Sequence, residues 1–375
     1  MLATKSLTIF KKIIFYSGCV YSAMYLLSCL TPYINPSYSW VFSILALGFP
    51  FLFGGMLLLI LLSFFLLKKY RLLFVVITLL GYKNINTVFA FHPFNKFNNE
   101  KQGDFRLLSW NASDFVNTQL STDTVGNPRH TMLSFIKQTN ADVICLEDFS
   151  NKKGKGFYNV FEYIKDSLGY TYTYFPLSYT YYLTELEEEY GNAIFSKYPI
   201  IDTGKIALPF SEPSEFLSFI DVKIKEKKIR FYTTHLLSLS LHTSSAQPVQ
   251  INLTSRDSSL ILHKSTLKKL WHFDKVHAQQ AIAVKQILNA TTTPFVFSAD
   301  INSVPSTYTY QHLKNGLEDA FLKNGFGLGK TYDSISPTLR IDVVLFSKQL
   351  KAVQHQTPVL HLSDHYPNIA DFQFK

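Results

Sequence analysis

Carboxylate, amide and imidazole side chains recur in this sequence at the points where short apolar segments stop. They are Asn111 after "LLSW", Glu147 and Asp148 after "VICL", His235 after "RFYTT", Asp300 and Asn302 in "FVFSADIN", Asp342 in "RID", and Asp364 with His365 in "SDHYP". Any one of these residues is more often a cap or a turn residue than a catalyst. As an ordered set, they predict one crevice in which rigid strands hold the polar groups and loops admit a ligand.

The adjacent pair Asp364 and His365 can serve one pocket only where the backbone is irregular, because neighbouring residues of a regular strand point to opposite faces. Pro367 favours such irregularity, since it biases Tyr366 toward an extended conformation and removes one ladder donor. The pair is therefore predicted to lie in a loop that leads into a final strand, Asn368 to Phe374.

The segments between the polar residues predict short strands that alternate with amphipathic helices. Predicted strands cover residues 105–110, 142–147, 294–300 and 340–347, an antiparallel hairpin covers 216–235, and predicted helices cover 128–139 and 275–289. Hairpins and helices mixed in this way predict an α/β fold of packed sheets with helices outside.

Two stretches interrupt this pattern and leave alternatives open. Residues 236–259 are rich in Ser and Thr and fit either a variable surface loop or a flap that covers a substrate. Residues 170–182 alternate Thr and Tyr, which favours a strand, with an aromatic platform for a substrate as the alternative.

The first hundred residues differ from the rest in charge and hydropathy. They contain eight Lys and Arg and one acid, whereas residues 101–375 contain 28 basic and 26 acidic residues. The uncharged stretches 13–30 and 40–67 match a bilayer core in length, and 71–91, which contains Lys83, fits either a full crossing or an interfacial helix. Residues 1–95 are thus predicted to be a membrane region with two to three transmembrane helices, followed by a separate domain at 101–375.

The basic residues also predict orientation, because short flanks rich in Lys and Arg face the cytoplasm. Basic residues precede the first span and follow the second, whereas the link 31–39 has none; they are Lys5, Lys11, Lys12, Lys68, Lys69 and Arg71. Three crossings then place the chain after residue 95 outside the cytoplasm, and two crossings would reverse this. The balanced charge of the remainder argues against a strongly basic surface for duplex nucleic acid.

The ordered motifs "SWN", "ADVICLED", "GNAIFSKYPI", "TTH", "SADINSVP", "RIDVV" and "SDHYP" resemble the endonuclease/exonuclease/phosphatase family over residues 104–375. The resemblance implies a four-layer α/β sandwich, two packed mixed sheets with outer helices, here preceded by N-terminal transmembrane helices. It also implies a metal-dependent phosphoester hydrolase, and the membrane segment is similar to that of membrane-anchored bacterial members.

The resemblance further implies a role for each polar residue. Asn111, Asp148 and Asp364 would bind a hard cation, for which oxygen ligands favour Mg²⁺ or Mn²⁺. The other implied roles are a water-activating group at Asp300 or His365, an orienting carboxylate at Asp342 for His365, and hydrogen-bond donors to the phosphoryl oxygens at His235 and Asn302.

The sequence departs from the family pattern at one metal position. The usual Gln-Glu is Glu147-Asp148 here, so the ligand at that position is one methylene shorter. Metal sites are sensitive to such shifts, and either the backbone compensates or Glu147 contributes.

These observations predict a membrane-anchored, divalent-metal-dependent phosphodiesterase or phosphatase in the cell (inner) membrane, with its catalytic domain outside the cytoplasm. The substrate would be a lipid headgroup, nucleotide, sugar phosphate or nucleic acid, and no protein partner is predicted. The alternatives are a catalytically decayed member that acts as an interaction module, and a periplasmic nuclease. Apolar spans without an acid argue against a transporter.

Overall fold

The protein was analysed as a computed structural model that describes residues 2–113, 128–154, 158–183, 186–210, 215–238, 264–333 and 336–375. Its helices are α1 (Leu2–Leu30), α2 (Trp40–Phe65), α3 (Arg71–Leu80), α4 (Tyr82–Val88), α5 (Pro128–Thr139), α6 (Val160–Glu162), α7 (Lys264–Ala290), α8 (Tyr308–Lys314) and α9 (Ala320–Asn324). The segment 236–259, predicted to be a surface loop or a flap, lies outside the described residues from residue 239 onward.

The strands occupy the second part of the chain, apart from one short strand that follows α4. They are β1 (Ala90–Phe91), β2 (Phe105–Asn111), β3 (Val143–Lys153), β4 (Tyr172–Tyr174), β5 (Leu177–Leu183), β6 (Leu186–Ser196), β7 (Ile200–Ala207), β8 (Phe216–Ile224), β9 (Lys227–His235), β10 (Phe295–Asp300), β11 (Glu318–Asp319), β12 (Phe326–Gly327), β13 (Asp342–Phe346), β14 (Leu350–Gln356) and β15 (Asn368–Phe374).

Among the described residues, α1 and α2 are long and apolar enough to cross a membrane by length and composition. In the apolar 18-residue stretch of each helix, only 22% and 28% of the stretch is buried inside the protein, whereas the core helix of a soluble protein is mostly buried. Ser39 defines the start of α2, because its side chain accepts a hydrogen bond from the backbone amide of Val41. Both helices are therefore candidate membrane spans.

Residues 71–91, for which a full crossing is one of the two predictions, do not form one continuous helix. They form α3 and α4, and Gly81 lies between them. A Cβ at residue 81 would overlap the Tyr25 hydroxyl, so the close approach to α1 requires glycine there. Neither helix spans a bilayer core alone, since ten helical residues cover about 15 Å.

Together, however, α3 and α4 run alongside α1 and parallel to it. The Tyr70 ring, just before α3, stacks on Phe15 with centroids 4.0 Å apart, and Asn84 Nδ2 in α4 donates to the Cys29 carbonyl at 3.1 Å. The helical rise from Phe15 to Cys29 is about 21 Å. The third segment thus crosses most of the length of the helical region in two pieces.

The remaining elements form two mixed sheets packed face to face, as the sequence predicted. One sheet has the strand order β14-β15-β2-β3-β6-β4, with β5 also paired to β6, and the other has the order β11-β13-β10-β9-β8-β7. Apolar residues from both sheets meet between them, including Val143, Cys145, Ile220, Phe231 and Val344. This packing forms the central two layers of the fold.

Helices cover the outer face of each sheet. Met132 and Ile136 of α5 pack on the first sheet, and Ala281 and Val284 of α7 pack on the second together with α8. The predicted four-layer α/β sandwich with outer helices is therefore confirmed. The predicted hairpin at 216–235 is β8 and β9, whose two-residue turn, Lys225 and Glu226, has positive φ angles of 49° and 64°.

The helical region packs directly on the sandwich. Trp271 Nε1 of α7 donates to the Pro36 carbonyl at 2.6 Å, and Ser43 Oγ of α2 donates to Asp274 Oδ2 at 2.5 Å. In addition, β1 pairs antiparallel with β12, although residues 90–91 fall within the predicted membrane region. The boundary between residues 95 and 101 stays a prediction.

Candidate active site

Three neighbouring strands of the second sheet bring His235, Asp300 and Asp342 together. β9 and β10 are parallel and place His235 opposite Asp300, while antiparallel β10 and β13 place Asp342 opposite Asp300. Because paired strands lie about 4.8 Å apart, the central position of Asp300 follows from the register alone. Asp300 is 1% exposed, so its carboxylate depends on these neighbours for compensation.

The first sheet contributes Asn111 and Asp148 through an irregularity in β3. The pairing of β3 with β6 shifts register between Leu146 and Phe149, and Asp148 has a φ of 45°. This bulge turns Asp148 toward Asn111, whose Nδ2 lies 3.3 Å from Asp148 Oδ2. The bulge thus directs the Asp148 carboxylate toward Asn111.

Seven of the eight predicted site residues form one continuous network. Asp148 Oδ1 lies 2.8 Å from His235 Nδ1, Asn111 Nδ2 donates to Asp300 Oδ2 at 3.0 Å, and Asn302 Nδ2 lies 2.9 Å from His235 Nε2. Asp300 Oδ2 is also 3.5 Å from His235 Nε2 and 3.6 Å from His365 Nε2. Side chains from both sheets thus meet at one edge of the sandwich.

His365 is held from several sides. Its Nδ1 lies 3.0 Å from Asp342 Oδ2, and its backbone carbonyl accepts a hydrogen bond from Trp110 Nε1 at 2.9 Å. The Tyr332 ring packs against the imidazole with centroids 4.8 Å apart. These contacts leave Nε2 directed toward Asp300 and fix the orientation of the ring.

Asp364 is the predicted residue that the described contacts do not bring into the network. It is exposed, and its carboxylate accepts a hydrogen bond from the neighbouring Ser363 hydroxyl at 3.3 Å. Ser363 Oγ also contacts the Asn111 carbonyl at 2.9 Å, so Asp364 lies at the rim of the site beside Asn111. A different group, Asp300, Asp342 and His365, has the spacing to bind a metal ion.

Glu147 faces away from this network and into the space between the sheets. Its Oε1 accepts hydrogen bonds from Thr233 Oγ1 at 2.6 Å and from Ser109 Oγ at 3.2 Å. Burial raises the pKa of Glu147 to about 8, and the charges of Asp342 and Asp300 add to this shift against the Thr233 hydrogen bond. Glu147 is thus a buried neighbour of the site whose carboxyl group takes up a proton more readily than an exposed one.

The two imidazoles carry the charge that balances the carboxylates. Burial acts to lower the pKa of His235, but Asp148 and Asp300 outweigh it and raise this pKa to about 10. In His365, burial is likewise outweighed, by Asp342 and Asp300, and the pKa is also raised to about 10. Burial acts to raise the pKa of Asp148, and the His235 charge and hydrogen bond reverse this, so its pKa is lowered.

The Asn302 amide shows that the carboxylates fit a cation. Asn302 Nδ2 donates to the Leu236 carbonyl at 3.0 Å and faces His235 Nε2 at 2.9 Å, which suits a neutral ring that accepts a hydrogen bond. The carboxylates alone favour a protonated ring. A hard cation bound by Asp148 would supply a positive charge in place of the ring proton, and carboxylate oxygens are among its preferred ligands.

Sequence reasoning did not identify several residues that support the site. Ser363 bridges Asn111 and the His365 backbone amide, Tyr332 packs on His365, and His277 contacts Ser303 in the loop after Asn302. Ser363 belongs to the quoted "SDHYP" motif, which could have indicated it. Tyr332 and His277 have no local signal, because only the tertiary fold brings them close.

A scan against known protein families matches residues 108–365 to the endonuclease/exonuclease/phosphatase family. The chain belongs to this family. Residues 11–88 separately match a domain of unknown function, DUF8431. No curated protein matches the sequence.

The sandwich of this family member is similar to solved structures of low sequence identity. The human Nocturnin catalytic domain with bound sulfate anion is 15% identical, with a TM-score of 0.52 over 76% of this chain and 99% of that one. The mannosyl-6-phosphatase Bt3783 of Bacteroides thetaiotaomicron is 15% identical, with a TM-score of 0.47 over 72% and 100%. The D. rerio TDP2 complex with single strand DNA product is 14% identical, with a TM-score of 0.45 over 72% and 98%.

At this identity the likeness to the Nocturnin domain shows the fold alone. Members of the endonuclease/exonuclease/phosphatase family are generally phosphoester hydrolases that use divalent metals. The buried group of carboxylates and imidazoles in this chain is consistent with that chemistry.

Proposed function

We propose that this protein is a membrane-anchored, divalent-metal-dependent phosphoester hydrolase that uses an activated water. The observation that carries the proposal is the single network formed by seven polar residues from the ends of β2, β9, β10 and β13, the bulge within β3 and the loop before β15. Two imidazoles, each held at Nδ1 by a carboxylate, direct their Nε2 atoms toward Asp300, an arrangement suited to acid–base chemistry.

Asp300 is the proposed base for water. Its Oδ1 accepts a hydrogen bond from the backbone amide of Asn302 at 2.9 Å, which fixes the carboxylate, and its Oδ2 accepts one from Asn111 Nδ2 at 3.0 Å at the centre of the network. Water oxygen would add to phosphorus while its proton passes to Asp300 Oδ2, and Asp300 would then release this proton so that the leaving oxygen departs protonated.

His365, His235 and Asn302 are the proposed donors to the phosphoryl oxygens. Asp342 accepts a hydrogen bond from Nδ1–H of His365, and in the protonated ring Nε2–H would donate to the substrate. Asn302 has a positive φ of 47°, a strained conformation for a non-glycine residue that the Asp300 and Leu236 contacts maintain. Such fixed donors can stabilise charge that develops on the phosphoryl group.

Asn111 and Asp148 are the proposed metal ligands, with Asp364 at the rim as the third. Mg²⁺ or Mn²⁺ would supply a positive charge that neutralises the phosphoryl oxygens and polarises the phosphorus. Glu147 is not proposed as a ligand, because its carboxyl group is bonded to Thr233 and Ser109 between the sheets.

The catalytic domain is proposed to lie outside the cytoplasm. Its contacts with the helical region involve the link 31–39 and the following start of α2, where Pro36 and Ser43 bond to α7. The basic flanks lie at the opposite ends of α1 and α2, and such flanks are cytoplasmic. The paired α3 and α4 return the chain to the side of the link.

Hydrolysis of bis-p-nitrophenyl phosphate by the purified full chain tests the proposed function. We expect activity with Mg²⁺ or Mn²⁺, loss of activity with EDTA, and restoration when the metal is returned. His365→Ala and Asp300→Ala should each lower the rate by about 10³-fold or more without loss of the folded state. Activity that survives EDTA and both substitutions would refute the assignment of the site.

A further inference from the structure

The edge of the sandwich that carries the proposed active site is the edge that contacts the helical region. The loop after β10 contains both Asn302 and Ser306, and Ser306 Oγ donates to the Ala46 carbonyl of α2 at 2.6 Å. Thr31 Oγ1 donates to the Ser306 carbonyl at 2.7 Å. Four residues of chain reach at most about 14 Å, so Asn302 lies within that distance of a residue bonded to α2.

A second contact reaches the opposite side of the site. Arg340, two residues before Asp342, donates through Nη2 to the Thr87 carbonyl at the end of α4, at 3.1 Å. Arg340 also pairs with buried Asp319 at 2.7 Å, so this contact is rigid. The helical region therefore contacts the chain four residues after Asn302 and two residues before Asp342.

The other edge of the sandwich points away from the helical region. There the turn between β8 and β9 carries an exposed basic run, including Lys225, whose side chain is 67% exposed and pairs with Asp104. Because β9 runs from this turn to His235, the turn and the proposed active site lie at opposite ends of the same strand. The site therefore lies at the end of β9 that is nearer the helices, and the lysine-rich turn lies at the far end.

Aromatic side chains mark the level of a membrane surface on the side of the site. Tyr33, Tyr38 and Trp40, which lie in the link and at the start of α2, are 60%, 82% and 45% exposed. Exposed Tyr and Trp at the ends of membrane spans typically lie at the headgroup level. Ala46 is six residues into α2, about 9 Å of rise beyond Trp40, which keeps Ser306 close to that level.

We propose that the substrate is a phosphoester in the headgroup of a phospholipid in the same bilayer. This inference rests on the proposed function and names its substrate class. Water would add across a phosphorus–oxygen bond of the headgroup, with its hydroxyl on phosphorus and its proton on the leaving oxygen, so no co-reactant is needed. A site held within about 14 Å of a membrane span meets lipid phosphates at far higher local concentration than soluble ones.

The test uses the full chain in lipid nanodiscs of phosphatidylethanolamine, phosphatidylglycerol and phosphatidic acid, which offer both phosphodiesters and a phosphomonoester. Lipid consumption is followed by ³¹P NMR with Mg²⁺ or Mn²⁺. In parallel, the same nanodiscs receive glycerophosphoglycerol, which has the headgroup chemistry without acyl chains, and bis-p-nitrophenyl phosphate. We expect lipid to be hydrolysed at least ten times faster than glycerophosphoglycerol at equal phosphate concentration.

Trp271→Ala tests whether the contact between the sandwich and the helical region causes the faster hydrolysis of lipid. It removes the hydrogen bond to the Pro36 carbonyl without changing a proposed site residue. We expect at least a fivefold lower rate on lipid and a rate on bis-p-nitrophenyl phosphate within twofold of the unchanged protein, which also shows that the variant is folded. His272→Ala, an exposed neighbour on the same helix, is the matched control and should alter neither rate.

The outcomes separate the two proposals. If bis-p-nitrophenyl phosphate is hydrolysed but no lipid is consumed, or if glycerophosphoglycerol is the better substrate, the lipid inference is wrong and the hydrolase proposal stands. If none of the substrates is hydrolysed with either metal, the hydrolase proposal fails, and the lipid inference fails with it.

Discussion

The helical region and the sandwich place their side chains in opposite ways. In the helical region large apolar side chains face outward, as in Leu58 and Leu80, which are 56% and 67% exposed. In the sandwich ionisable side chains lie inside, as in Asp300 and Glu147, each 1% exposed. The first arrangement suits a lipid environment, and the second requires that every buried charge has a partner.

This difference shows what each region demands of its sequence. An outward-facing leucine needs only to be apolar, because lipid tails make no specific contact with it. A buried carboxylate needs a named partner at a fixed distance, since an unpaired buried charge costs several kcal/mol. Damaging substitutions should therefore act differently in the two regions, through lost apolarity in the helical region and through unpaired buried charge in the sandwich.

The largest effect on folding stability is expected at the buried ion pair between Arg340 and Asp319. Arg340→Ala would leave Asp319 buried without its partner, at a cost of about 3–5 kcal/mol in the free energy of unfolding. Thermal unfolding measures this cost. The matched control is Lys323→Ala, which breaks the more exposed pair with Glu318 and should cost less than about 1 kcal/mol. Equal costs would mean that the buried pair is not as the structure describes it.

The next effect tests the environment of α2. Leu58→Asp places a charge on the exposed face of the span, and insertion into a bilayer should become less favourable by about 2.5–3.5 kcal/mol. The expected result is loss of the protein from the membrane fraction. Tyr182→Asp, at an equally exposed position of the sandwich, should leave membrane recovery unchanged. If Leu58→Asp behaved like Tyr182→Asp, the helices would not cross a bilayer.

A smaller effect, on activation by the metal, distinguishes Asp148 from Glu147 as the metal ligand. Asp148→Asn should weaken activation by Mg²⁺ or Mn²⁺ by about 10- to 100-fold, because it removes a charged ligand oxygen. Glu147→Gln should change activation less than about threefold, since the raised pKa of the buried carboxyl favours its neutral form and its two hydrogen bonds can persist. Metal titrations of hydrolysis measure both values. The reverse result would assign the ligand to Glu147.

The smallest effect is a pH dependence at the junction of the two regions. Burial raises the pKa of Asp274 to about 6 in the folded protein, against the Ser43 hydrogen bond. The folded state therefore binds this proton more tightly than the unfolded state, and the stabilisation present below about pH 4 is lost as pH rises through about 6. Relative to Asp274→Asn, the unchanged protein should lose about 1 kcal/mol of unfolding free energy between pH 4.5 and 7. A constant difference would exclude this titration.

The elements that composition and periodicity determine were predicted well from sequence. α1 and α2 follow from uncharged apolar stretches, and the bounds of α5 and β15 match the prediction at both ends. The break at Gly81 could not be predicted as it occurs, because it depends on the approach of Tyr25 from another helix. α7 begins at Lys264 instead of residue 275, since its first turns are stabilised by packing such as that of Trp271 on Pro36.

The members of the site were also easier to predict than its geometry. Strand ends and motifs indicated all eight residues, but the bulge that aims Asp148 requires a positive φ at a non-glycine residue, which local propensity disfavours. The exposure of Asp364 likewise depends on how its loop packs beside Asn111. Tertiary contacts, not local sequence, decide both.

The most direct test of the central claim is anomalous diffraction from crystals of the full chain soaked with Mn²⁺. We expect an anomalous peak among Asn111, Asp148 and Asp364, at the edge of the sandwich that faces the helices, and its absence in Asp148→Asn. A peak only at exposed surface carboxylates, or a peak that Asp148→Asn leaves unchanged, would contradict a metal-dependent site at this place.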